Sequence, residues 1–350
     1  MSIKEHPILK AARGEETPYT PIWIMRQAGR YSERYRRLRA KAGSFMDLCK
    51  NPELAAEVTL IPIDEIGVDA AILFSDILVP VEKMGIGVKF VEGKGPVLEP
   101  KVETVEDAKR LKIPEPEKDL PYVLETIRLI KERLTDRPLI GFSGAPFTLA
   151  SYILEGGSSK NYIAAKSTMW NSPELWETLM EKLTQTVIEY LSAQIEAGAD
   201  LVQLFDSWMG VLSKEDYEKF AFPYTERIVN ELKRRHPETP IIHFGVNAQH
   251  LLEVNNRLNV DVIGLDWKTQ IPEALTKIDK SIQGNLDPVA LFADERTIEE
   301  KVEKILREGL KARGHIFNLG HGILPPTDPK KAKFLVDTVH RISRELRGGR

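Results

Sequence analysis

Apolar runs of four to six residues recur along the chain, each followed by a stretch whose apolar positions return every three or four residues. The runs are Ile22–Met25, Asp69–Phe74, Pro138–Phe142, Asp200–Phe205, Pro240–Gly245, Asp261–Asp266, Ser281–Asn285 and His315–Leu319. Near-continuous apolar runs predict strands buried on both faces, and the slower periodicity predicts amphipathic helices. Helix starts are marked by their chemistry. Asn51-Pro52-Glu53 and Ser172-Pro173-Glu174 each set an N-cap residue before proline and an acid. The first of these helices is expected to end near Gly67. The second ends at Gly198 and shows Leu179, Leu183, Val187 and Leu191 on one face. Further helices are expected near 104–112 and 120–135. Ser213 with Asp216 and Thr297 with Glu300 read as capping pairs, and Asp328-Pro329 opens the last helix. Val88–Val91 and Val97-Leu98, flanking Gly93 and Gly95, predict a hairpin.

Eight strand-then-helix units imply a parallel sheet covered on both faces. In 350 residues they predict a single (β/α)8 barrel over residues 1–350, with an insertion at about 82–136 between strands 2 and 3. A doubly wound sheet is the alternative, but no strand leads into a Gly-x-Gly-x-x-Gly turn or a P-loop. A barrel carries its chemistry at the carboxyl ends of its strands. Those ends hold Arg26, Arg30, Asp76, Ser143, Asp206, Ser207, Asn247, Asp266, Asp287 and His321. The opposite ends hold Asp69, Asp200 and Asp261, which suit capping or turning.

Composition narrows the function classes. Hydrophobic residues make up 42% and charged residues 29%, the ordinary balance of a water-soluble globular chain. A net charge of −3 argues against general nucleic-acid affinity. No apolar run approaches membrane length, and the charged opening segment lacks the apolar core of a secretory leader, so a cytoplasmic location is expected. One cysteine, Cys49, and seven histidines without a His-x-x-x-His pair leave no zinc pattern. Charge is uneven, however. Residues 1–50 carry eleven Lys and Arg against five Asp and Glu, densest over Arg34–Lys41. That run is either a solvated face or a field that steers an acidic ligand.

The positive region abuts Pro21-Ile-Trp-Ile-Met-Arg-Gln-Ala-Gly-Arg-Tyr31. Two guanidiniums, Arg26 and Arg30, follow a buried strand with Gly29 between them. A guanidinium is planar, permanently charged and shaped for carboxylate or phosphate, and glycine permits close approach or a left-handed turn. The pair is read as an anion site, ahead of surface pairing with acids. Asp76 fits either a cap for the next element or an ionised carboxylate in the barrel mouth, held charged by Arg26 and Arg30. His321 is a turn residue or a binder of anions and protons. Ser207 caps a helix or donates to a ligand. Tyr152 offers a phenol or is a half-buried helix residue. Phe45, Phe142, Phe205 and Phe222 read mainly as core.

The segment Pro21–Tyr31 closely resembles the signature of the uroporphyrinogen decarboxylase family. So do Phe74–Leu78, Gly144–Ile153, Leu204–Trp208, Gly264–Trp267, Gln283–Asp287 and Asn318–Ile323, in order along nearly the whole chain. Departures are confined to Ser-Glu-Arg after Tyr31 and to Pro325–Pro329. The resemblance implies a (β/α)8 barrel, a homodimer with facing clefts, and no metal or organic cofactor. It implies that uroporphyrinogen III loses four CO2, its acetates becoming methyls, to give coproporphyrinogen III. Carried over by motif, Arg26 and Arg30 bind substrate carboxylates, with Gln27, Ala28 and Gly29 on the same wall. Asp76 lies under the macrocycle and accepts its pyrrole N–H groups. Tyr152, Ser207 and His321 contact acetates or propionates, and Phe45 joins the binding set. Arg26 is the positional candidate for proton donor, although guanidinium is a poor acid. Zinc methyltransferases of the same barrel class, a non-catalytic tetrapyrrole carrier and a nucleic-acid binder are the competing readings. The single cysteine weighs against the first and the acidic balance against the last.

Overall fold

The computed structural model describes residues 2–348. Among them are nine strands: β1 (Ala71–Ile72), β2 (Gly87–Val91), β3 (Gly95–Glu99), β4 (Leu139–Gly144), β5 (Leu201–Phe205), β6 (Ile241–Phe244), β7 (Val262–Gly264), β8 (Ser281–Gln283) and β9 (His315–Ile316). Seven run parallel in the order β1-β4-β5-β6-β7-β8-β9, and β2 pairs antiparallel with β3. The register places Ala71 beside Leu139, Val202 beside Ile241, and Ile282 beside His315. Helices intervene between successive strands of the parallel sheet and cover its outer face. This is an α/β fold with a curled parallel sheet.

The stretch predicted as the first strand is irregular. Ile22 makes one parallel bridge to Phe317, while Phe317 N donates to Pro21 O at 2.8 Å. On the other side Asp69 N donates to Ile22 O at 2.8 Å, so one short segment hydrogen-bonds toward both edges of the sheet. Its ladder is broken for a local reason. Pro21 has no N–H. Ile24 N donates to Gln27 Oε1 and Met25 N to Asn318 Oδ1, both at 2.9 Å, so side chains stand in for a neighbouring strand.

Inside the curled sheet Trp23, Met25, Ile140, Leu201, Ile242, Val262 and Ile316 form one buried cluster. A polar chain threads it: Trp23 Nε1 donates to Gln283 Oε1 at 2.8 Å, and Gln283 Nε2 to Gln203 Oε1 at 2.9 Å. Burying these groups is tolerable because they satisfy one another.

The acids at the amino ends tie strands together. Asp69 Oδ2 accepts from Ile22 N at 2.8 Å and meets His340 Nε2 at 2.7 Å. Asp200 Oδ2 accepts from Leu139 N and Lys131 Nζ, and Asp261 Oδ2 from Ile241 N and Lys233 Nζ. Each carboxylate thus joins a neighbouring chain segment to a basic side chain from an outer helix.

Helix boundaries follow the capping chemistry at Pro52–Glu65 and Pro329–Leu346, where Asn51 and Asp328 accept from the first turn. Two caps differ from expectation. Ser172 precedes the helix Pro173–Ala197, but its side chain makes no capping bond. The helix Glu295–Gly309 is capped by Asp294, whose side chain accepts from Thr297 N, so Thr297 is inside the helix. The basic run is the short helix Glu33–Lys41, with Ser32 as its N-cap and only Tyr35 and Leu38 buried. Pro146 opens a further helix to Glu155, directly after β4.

Candidate functional site

The loop after the first apolar stretch is built to present arginine. Arg26 has φ 62°, a left-handed conformation uncommon outside glycine. Its neighbours hold it there. Gln27 N donates to Ile24 O at 2.9 Å, and the fully buried Gln27 side chain donates to Ala70 O at 2.9 Å while accepting from Ile24 N. Gln27 therefore shapes the loop from behind, its side chain turned toward Ile24 and Ala70. Gly29 is needed, but not for a positive φ: a Cβ there would lie 2.8 Å from Arg26 O. Ala28 packs partly into the core beneath. Tyr31 Oη donates to Gln27 O at 2.7 Å, and Arg36 Nη1 donates to Arg30 O and Tyr31 O at 2.7 and 3.1 Å.

Both guanidiniums are exposed. The nearby Arg34 pairs with Glu57 and Asp64, and Arg37 with Glu33, but neither Arg26 nor Arg30 forms an ion pair among the described residues. Two unneutralised cations at the end of a buried segment leave the anion-site reading standing.

Asp76 follows β1 after Leu73-Phe74-Ser75. Its Oδ1 accepts from Leu78 N at 2.8 Å, which turns the chain into the helix Val79–Lys83. The capping role is thus real, yet it occupies one oxygen; Oδ2 makes no hydrogen bond among the described residues. Desolvation raises the carboxyl pKa to about 6, opposed by the Leu78 N–H and by the charge of Arg26. Arg30 is not among the charges acting on it; Arg30 acts on Tyr35 instead. Asp76 is still mainly ionised at neutral pH, with Arg26 as its cationic neighbour.

Tyr152, on the helix Pro146–Glu155, shares that environment. Burial and the charge of Asp76 push its phenol up to about 12, with Arg26 acting the other way, so it remains an O–H donor. Its ring lies 5.9 Å from that of Trp208, which lies 5.7 Å from Tyr162. Ser207 is half-buried just past the end of β5, and its hydroxyl forms no hydrogen bond among the described residues. The half-buried Phe45 ring sits 5.7 Å from Phe74 and 4.9 Å from Phe90, joining the Asp76 segment to the hairpin.

His321 is positioned by the glycines around it. A Cβ on Gly320 would fall 2.1 Å from Trp267 N, and one on Gly322 would fall 2.3 Å from Arg26 Cδ. The Gly-His-Gly segment is thus wedged between Trp267 and the stem of Arg26. Gly322 N donates to His321 Nδ1 at 2.6 Å, which puts the proton of the neutral ring on Nε2. Burial and the charge of Arg26 lower its pKa to about 4, against an opposing pull from Asp266. His321 is therefore a neutral N–H donor near pH 7.

The other strand-end candidates have structural work. Asp206 is fully buried, accepts from Thr148 Oγ1 at 2.8 Å, and lies 3.7 Å from His243 Nε2. Asp266 accepts from the backbone of Asn247, Lys268 and Thr269. Asp287 accepts from Val289 N, and buried Ser143 donates to Gly144 O. The structure thus gathers Arg26, Asp76, Tyr152 and His321, with Arg30 exposed on the same loop as Arg26. Sequence reasoning passed over Trp208, Trp267 and Arg36. The two tryptophans carried a signal, each following a strand-end aspartate within two residues. No cluster of three or more His, Cys, Asp or Glu suited to a metal occurs among the described residues.

The uroporphyrinogen decarboxylase (URO-D) family matches residues 4–342. Curated proteins named uroporphyrinogen decarboxylase from Carboxydothermus hydrogenoformans and Oceanobacillus iheyensis are 53% and 49% identical. The first alignment covers 96% of both chains, the second 98% of this chain and 99% of the relative. Among solved structures, a methyltransferase from Methanosarcina mazei superposes with TM-score 0.80 at 21% identity, covering 97% of this chain and 99% of that one. A B12-independent methionine synthase from a Shewanella species gives 0.56 at 13% identity, covering 85% and 87%. At such identities the structural likeness concerns the fold alone.

Proposed function

The chain belongs to the uroporphyrinogen decarboxylase family, and on that premise we propose how its own residues carry the reaction. The activity is the conversion of the four acetates of uroporphyrinogen III to methyls, giving coproporphyrinogen III and four CO2, in porphyrin and heme biosynthesis. In our reading Oδ2 of Asp76 accepts the pyrrole N–H groups of the macrocycle. Arg26 and Arg30 take substrate carboxylates, and Tyr152 Oη, Ser207 Oγ and His321 Nε2 donate to others. Ala28, Gly29 and the backbone of Gln27 shape the wall, and Phe45 closes one side.

Each step exchanges a C–C bond for a C–H bond: CH2–CO2⁻ plus H⁺ becomes CH3 plus CO2. Protonation of the pyrrole carbon beside the acetate makes the ring cationic. The C–CO2 bond then breaks, and its electron pair flows into that ring, leaving an exocyclic methylene. Proton gain at the methylene and loss from the ring carbon restore the pyrrole. The substrate supplies the electron sink, and the protein supplies the counter-charge, Asp76. The observation that carries the reading is one carboxylate with a free oxygen, beside an unpaired guanidinium and two neutral donors.

We further read residues 1–350 as one domain in which Ile22–Met25 counts as the first of eight staves of a closed barrel, with 82–136 inserted between the second and third. We read the protein as a cytoplasmic homodimer acting on a small tetrapyrrole, without nucleic acid, membrane or added cofactor. No helix among the described residues is long and apolar enough to cross a membrane. The test is incubation with uroporphyrinogen III under reducing conditions, with products resolved by carboxyl number. Stepwise loss to the four-carboxyl product is expected. A substrate bound but unaltered means a carrier and overturns the reading.

A further inference from the structure

The substrate brings eight carboxylates, yet the site described so far offers two full positive charges, both on one loop. His321 is neutral, and Asp76 is negative. Charge complementarity asks for a cation elsewhere on the rim. We propose that Lys268 is that cation, binding a carboxylate of the macrocycle that is not being decarboxylated, on the side of the mouth formed by β6 and β7; this rests on the function proposed above.

Three observations converge on it. First, Lys268 is continuous with the site. Its Nζ lies 5.4 Å from the centre of the Trp267 ring, and that ring lies 6.1 Å from His321. His321 in turn belongs to the segment wedged against Arg26. Second, the backbone bearing Lys268 is rigid. Asp266 accepts from Lys268 N, Thr269 N and Thr269 Oγ1 at 3.0–3.1 Å. From behind, Asn285 Nδ2 donates to both Asp266 O and Thr269 O at 2.7 Å. Third, the ammonium is held but not neutralised. Nζ donates to the amide Oδ1 of Asn247 at 2.9 Å and forms no ion pair among the described residues. Asn247 has φ 55°, a left-handed conformation at the end of β6, and its N–H is fixed by Asp266. An exposed lysine normally keeps its rotamer freedom. Here an amide oxygen and an indole face hold it in place, which lowers the ordering cost of capturing an anion.

A contact to a non-reacting carboxylate is equal in ground and transition states, so it belongs in KM and not in kcat. Lys268→Met keeps the stem and removes the charge. It should raise KM for uroporphyrinogen III about three- to tenfold with kcat within twofold, and Lys268→Arg should restore most of the loss. Titration with the oxidised octacarboxylate, uroporphyrin, followed by tryptophan quenching, should show a matching rise in Kd. This binding arm is independent of turnover. An inert wild-type chain sinks the proposed function, whereas an active wild type with KM and Kd unchanged in Lys268→Met sinks this inference. A fall in kcat alone, or failure of arginine to rescue, also overturns it.

Discussion

Asp76 spends one oxygen on its own backbone and keeps the other, and the two can be separated by substitution. Asn in its place still accepts from Leu78 N through Oδ1, so the turn into Val79–Lys83 persists. What disappears is the charge proposed to face the macrocycle. Asp76→Asn should therefore lower kcat by about 10²–10³, the usual scale for removing one electrostatic partner of a developing charge. Stability should move the other way. The folded carboxyl binds its proton more tightly than the unfolded one, about 6 against 3.8, so stability falls as pH rises through that window. The deficit is present at pH 7, where the Asn variant should melt at the same temperature as wild type or higher. A lower melting temperature with kinetics intact would make Asp76 merely structural. The same titration predicts an acid limb in kcat/KM near pH 6. Because the charge of Arg26 lowers this pKa, Arg26→Met should move the limb to higher pH. His321, at about 4, contributes no step between pH 5 and 8.

At the level of elements, the two glycines around His321 make different demands. A methyl on Gly320 meets backbone, Trp267 N at 2.1 Å, whereas a methyl on Gly322 meets Cδ of a long side chain, Arg26, at 2.3 Å. Backbone cannot retreat cheaply; an arginine stem can. Gly320→Ala should cost about 1–3 kcal/mol of stability, as overpacking does. Gly322→Ala should keep most of the stability yet displace the Arg26 guanidinium, raising KM. Paired thermal melts and steady-state kinetics check both, and equal melting temperatures would count against the wedge. The contrast also shows what a sequence discloses. That His321 stands between glycines at a strand end was legible; what the glycines avoid was not, because both obstacles lie far away in the chain. The same holds for Gln27, whose buried side chain answers to Ala70 O. Strand cores and helix starts were legible because they rest on local apolar pattern and capping. The helix Glu33–Lys41 was hidden by its composition, since two buried side chains in nine make too thin a stripe. Thr297 was mistaken for a cap because Asp294 serves the same turn three residues earlier.

Across the whole molecule, aspartates stand at both ends of the strands and do different things. At the carboxyl ends Asp206 is buried against Thr148 and His243, while Asp76 caps Leu78 N with one oxygen and is the carboxylate proposed to face the substrate. At the amino ends Asp69, Asp200 and Asp261 each accept from the backbone of a neighbouring segment and meet His340, Lys131 or Lys233 from the outer layer. Position along a strand told which end each acid occupied; whether its oxygens were free depended on partners tens to hundreds of residues away. Stability and activity should therefore separate by face. Asp261→Ala leaves Ile241 N without its acceptor and Lys233, only 15% exposed, without its counter-charge. The expected loss is about 2–3 kcal/mol, the cost of an orphaned donor and a half-buried cation. Adding Lys233→Met removes the stranded charge and should recover part of that loss. Below the melting transition, kcat and KM of both variants should match wild type, because the site lies at the opposite mouth of the sheet. A fall in kcat at temperatures where the variant is still folded would show that the two faces are coupled, and the division of labour drawn here would fail.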